Sequence, residues 1–148
     1  MRKFVTVQIF SLGFLSLAGS AIAQNSSDWL TMVGMPGDAS HITIEVQPTS
    51  HVVIANRASL NVRVNRSNFN TSSEGIPFRS YTATILIDCL EKTARFTSVA
   101  FYMMPIWEGK RHKIVSWSEA EVRPVLFRNF VPNPREKIIR AACRMTPQ

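Results

Sequence analysis

Leu60, Val62 and Val64 alternate with Asn61, Arg63 and Asn65. A strand lays such a two-residue period out as one apolar and one polar face, whereas a helix would scatter it around its circumference. The same period recurs in Ile42, Ile44 and Val46, set against Thr43 and Glu45, and again in Tyr81, Ala83, Ile85, Ile87 and Cys89. Three such runs must pair into a sheet, with the apolar rows on one core and the polar rows facing water. Residues 29–33 read as an earlier strand, stopped by Gly34, Pro36 and Gly37, and Pro48 is expected to end the second run. Residues 65–77 are polar enough to read as a loop. Glu91-Lys92 marks a tight turn into a return strand over residues 94–103. There Phe96 and Tyr102 fall on one side and Val99, Phe101 and Met103 on the other, so this strand is expected in the middle of the sheet with cover on both faces.

The period changes near the end of the chain. Asn133-Pro134-Arg135-Glu136 supplies a capping side chain, a proline for the first helical position and a glutamate for the capping box, and Ile138, Ile139, Ala142 and Cys143 then recur at helical spacing. The apolar stripe of this short helix carries Cys143, and the inner row of the sheet carries Cys89; the chain has no other cysteine. In an exported chain the pair is expected as a disulfide that ties the helix onto the sheet. The two thiols are too far apart in sequence for a redox motif, and no nearby histidines complete a metal site, so no cofactor or metal is expected. The fold class is α+β: an antiparallel sheet of about five to six strands with a C-terminal α-helix pinned on it by one disulfide.

Export is itself read from the first residues. Arg2 and Lys3 precede an apolar run over residues 4–17, and the small side chains of Ala21 and Ala23 offer a cleavage site that leaves Gln24 first. Residues 1–23 are therefore expected to be a secretory signal peptide and residues 24–148 a single domain. The run is short of the roughly 20 residues that span a bilayer, and no cysteine lies near the cleavage site, so neither a permanent span nor a lipid anchor is expected. Losing Arg2 and Lys3 lowers the net charge from +7 to +5. That moderately basic balance carries little information about partners, and no nucleic-acid partner is expected.

Candidate chemistry is sparse. His41, His51 and His112 are the only histidines and no motif brings two of them to one substrate; no nucleophile elbow or glycine-rich phosphate loop is present, so an enzyme is not expected. Two basic groups could meet an acidic partner. Arg57, Arg63 and Arg66 flank or line the polar face of the third run, and Lys110, Arg111, His112 and Lys113 form a basic turn after Trp107, with Trp107 and Trp117 at hand for aromatic contact. The plainer account, a solvated strand face and a charged hairpin tip that blunts edge pairing, has the better claim for both. Trp29 and Tyr102 are expected in the core.

The sequence Ile85-Leu86-Ile87-Asp88-Cys89, followed by Phe101-Tyr102, Trp107-Glu108-Gly109, Pro124, Pro132 and Ala141-Ala142-Cys143, resembles the surface-adhesin protein E family of bacterial envelope proteins over roughly residues 29–143. The resemblance implies a curved antiparallel sheet with a C-terminal helix held by one disulfide. It also implies a non-enzymatic adhesin, since several members bind host matrix proteins such as vitronectin and laminin. The expected partner is accordingly a host matrix protein or another envelope macromolecule, and the expected location is periplasmic or extracellular. The alternative is a periplasmic structural or stress-related envelope protein without a host ligand.

Overall fold

The computed structural model describes residues 28–144. The expected signal segment, with Ala21, Ala23 and Gln24 at its cleavage site, lies outside the described residues. Six strands, β1 (Leu30–Val33), β2 (Thr43–Ile54), β3 (Arg57–Thr71), β4 (Pro77–Asp88), β5 (Thr93–Tyr102) and β6 (Arg111–Ser116), form one antiparallel sheet in sequential order. A 3-10 turn, Pro105–Trp107, separates β5 from β6, and one helix, α1 (Arg135–Arg144), follows. The α+β architecture is the one the alternating rows and the terminal helical period predict.

The apolar rows meet on one face. Ile44, Val62, Val64, Ile85 and Ile87 are fully buried there, beneath Ile138, Ile139 and Ala142 of α1 and beneath Val125, Phe127 and Phe130 of the segment that leads into it. That segment prolongs the sheet before it crosses the face: Phe96 N–H donates to Arg123 O at 2.8 Å and Val125 N–H to Ala94 O at 2.9 Å. Asn133 starts the helix as expected, its Oδ1 accepting the Arg135 N–H at 3.0 Å while its Nδ2 donates to Leu126 O at 2.8 Å. The Cys89–Cys143 disulfide, with Cα atoms 5.5 Å apart, ties α1 to the end of β4.

Two expectations about strand limits and one about the faces of a strand are overturned, each by a bulge. Pro48 does not end β2: Gln47 pairs with Asn61 and Val52 with Ser59, so residues 48–51 stand opposite Leu60 alone and Pro48 sits outside the ladder. Ser50 Oγ accepts the Asn61 N–H at 2.8 Å across the gap. Residues 65–77 are not one loop. Asn65 pairs with Ser80 and Asn70 with Phe78, so β3 and β4 resume their ladder after residues 66–69 and close in a turn where Ser72 Oγ accepts the Glu74 and Ile76 N–H groups, both at 3.2 Å. In β5, Thr84 pairs with Ser98 and Ile85 with Phe96, which leaves Thr97 as an extra residue. This reverses the parity, so Phe96 joins Val99 and Phe101 on the inner face beside Tyr81; β5 is an inner strand as expected, paired with β4 and β6, but its large apolar side chains gather on one face.

Candidate functional site

The polar rows do not simply face water. Thr43, Glu45, Asn65 and Ser80 are buried, the last two completely, because the β1–β2 connection and the chain after β5 both fold over that end of the polar face. Ser80 Oγ donates to Met104 O at 2.8 Å and accepts the Trp107 N–H at 3.0 Å. Asn65 Oδ1 accepts the Ile106 N–H at 2.8 Å, and its Nδ2 donates to His41 O at 2.7 Å. The Trp107 indole N–H donates to Tyr81 O at 2.9 Å. These bonds hold Ile106 and Trp107 at positive φ, 45° and 62°, a conformation that costs energy for side-chain-bearing residues and persists only when the surroundings fix it.

Trp107 thereby lies flat against Arg63. The guanidinium stands 4.1 Å from the Trp107 ring centroid and 4.3 Å from that of Trp29, with Nε donating to Glu45 Oε2 at 2.8 Å. Glu45 is 2% exposed. Arg63 is thus neither a solvated face residue nor a free cation: it neutralises a buried carboxylate and spaces two indoles. Beyond this stack the polar face opens into a groove of about 340 Å³, walled by Trp29, Tyr102, Arg111 and Ile114 over a floor of Thr82, Thr84, Ser98 and Ala100. Trp29 and Tyr102, expected in the core, are half-buried walls of this groove. The Trp29 position is legible by parity, two residues before Thr31, which pairs with Glu45. Tyr102 too keeps its parity, opposite Val99 and Phe101; the Thr97 bulge moves Phe96 away from its side.

Of the expected basic hairpin tip only Lys110 lies in the turn. The tip is residues 103–110, with Gly109 at φ 77°, and Arg111, His112 and Lys113 belong to β6, the outermost strand. Tyr102 pairs with Arg111 and Phe101 with Lys113, which makes His112 the extra residue and sends Arg111 and Lys113 to opposite faces of the sheet. Arg111 and Ile114 border the groove; Arg111, His112 and Lys113 are all exposed. β6 is hydrogen-bonded on one side only, to β5.

The three arginines of β3 do not make one patch. Arg57, at the far end of the strand, lies 3.4 Å from Glu119 and 3.9 Å from Asp88. Arg66, in step with Val62 and Val64, lies on the helix face, 4.7 Å over the Phe130 ring, where its Nη2 donates to Asn70 Oδ1 at 3.1 Å. Loss of solvent lowers the Arg66 pKa, and burial pushes the neighbouring Tyr81 phenol well above its ordinary value. Trp117 packs against the core from the helix side. The histidines stand apart: His41 contacts Asp38 at 2.7 Å, His51 reaches Ala142 O at 3.1 Å, and His112 is on the β6 edge.

Among the described residues no helix is long and apolar enough to cross a membrane. Neither a search of curated proteins nor one of solved structures finds a match to the chain. The family model for surface-adhesin protein E, in contrast, matches residues 29–144, a span that takes in all six strands, the turn that carries Trp107 and the disulfide-pinned helix. On that match the chain belongs to the surface-adhesin protein E family.

Proposed function

We propose that the protein is an exported, non-enzymatic adhesin that takes up an extended, acidic segment of a host matrix protein along β6. The observation that carries this reading is the basic edge strand: six residues paired on one side only, bearing Arg111, His112 and Lys113, beside a groove with two aromatic walls. A partner strand added to β6 gains main-chain hydrogen bonds from the backbone groups that β5 does not use. Its alternate side chains then meet Arg111 on one face and Lys113 on the other, and a bulky side chain on the Arg111 side can enter the groove against Trp29 and Tyr102. The charges steer encounter and fix register, while the groove supplies the desolvated contact from which most binding energy comes. Family membership and the expected signal segment support placing the partner outside the cytoplasm.

Location tests the reading. A membrane-impermeant amine label applied to intact cells should modify the protein on the cells or in their medium before the envelope is opened. Protection until lysis would assign it to the periplasm and favour an internal envelope role without a host ligand.

A further inference from the structure

On the helix face, remote from the β6 groove, α1 and the β4–β5 turn enclose a cleft of about 500 Å³. Lys92, Arg135, Arg140 and Arg144 line it with a single carboxylate, Glu136, over an apolar floor of Ile139 and the Cys89–Cys143 bridge. Among the described residues none of these four cations has a carboxylate within 4.0 Å, whereas Arg57, Arg63, Arg95 and Arg123 each reach one. One nitrogen is distinctive. Arg135 Nε is buried without a hydrogen-bond partner, and it is the one side-chain nitrogen or oxygen of which this holds among the described residues. A buried donor left unpaired is costly, and the uncompensated cations at Lys92, Arg140 and Arg144, although exposed, raise the positive potential over the apolar floor. The first turn of α1 adds the positive end of its dipole beside Arg135.

We propose that this cleft binds a phosphate group. A phosphate dianion in the cleft offers acceptor oxygens to the Arg135 guanidinium, which lines it, and offsets the clustered charge. Arginine forks match its oxygens in pairs, and the volume accommodates both the group and part of the molecule that carries it. The same chemistry is offered by a soluble phosphate compound and by an anionic lipid headgroup. The site does not depend on host binding through β6, since it uses none of the same residues.

The test uses the disulfide-intact exported chain. Titration with inorganic phosphate should shift the Arg135 Nε–H resonance saturably. The Lys92→Glu and Arg140→Glu double variant, altered at exposed positions, should weaken binding about tenfold or more, while Lys110→Glu with Lys113→Glu, an equal change of charge at the β6 edge and the turn before it, should leave it within about twofold. Co-sedimentation with phosphatidylcholine vesicles that contain phosphatidylglycerol, reversed by inorganic phosphate, would identify a headgroup as the source. Phosphate binding without vesicle binding would identify a soluble compound, and either result supports the site. No saturable shift at Arg135, equal losses in the two variants, or vesicle binding that phosphate does not reverse would overturn it.

Discussion

Arg63 belongs to a polar row by parity, yet its surroundings are those of an interior. It is 22% exposed, sandwiched between Trp29 and Trp107, and paired at 2.8 Å with a carboxylate that is 2% exposed. Arg63→Ala would strand the Glu45 charge, so a loss of about 3–5 kcal/mol is expected in urea unfolding, whereas Glu45→Gln combined with Arg63→Met, which removes both charges and keeps a long side chain between the indoles, should cost clearly less. An equal loss in the two proteins would mean that the ion pair is not what the indoles protect. Asn65 is the second such residue. Asn65→Ala would leave the Ile106 N–H and the His41 carbonyl without their bonds, and about 2–3 kcal/mol is expected from thermal or urea melts. Local alternation announces the face of both residues correctly. It cannot announce their cover, because the atoms that bury them come from Trp29, from the β1–β2 connection that carries the His41 carbonyl and from the turn after β5, and no local period relates those segments to residues 60–65.

At the scale of elements, the period-two rows and the capped helix were legible, and the bulges were not. A bulge leaves the composition of a strand unchanged and alters only what it pairs with, so Pro48 and the polar run after Asn65 read as ends although β2 and β3 continue past them. Thr97 is the sharpest case, because a single extra residue decides whether Phe96 lies in the core. Deletion of Thr97 should turn Ala94 and Phe96 outward and destabilise the domain by at least about 3 kcal/mol, the scale of losing a buried aromatic, while Thr97→Ser should be mild. A deletion variant with a wild-type melt would show that the sheet re-registers freely. The bridge closes a span of 54 residues, for which chain entropy gives about 4 kcal/mol. Replacing Cys89 and Cys143 together by Ser should lower the urea midpoint accordingly and expose α1 to proteolysis first, since a helix of ten residues is marginal without its tether. An unchanged midpoint would make the bridge idle.

For the molecule as a whole, the two faces of one sheet do different work. The inner face is consumed by α1 and the segment before it, so the described residues offer the polar face, the β1 and β6 edges and the outside of α1 for contact with other molecules. The sequence located basic residues near the site without its geometry: Arg57, Arg63 and Arg66 lead to three separate environments, while Arg111 and Lys113 flank one edge. The resemblance carried the fold because strand order and the cysteine pair are serial features, and the groove escaped it because its walls come from opposite ends of the sheet. The direct measurement is equilibrium binding of the exported chain to immobilised matrix proteins at physiological salt, alongside an Arg111→Glu and Lys113→Glu variant with an unchanged melt. Saturable binding that the variant weakens about tenfold or more is the predicted result. Absence of saturable binding, or binding that the variant leaves intact, would contradict the assignment of β6 as the adhesive edge.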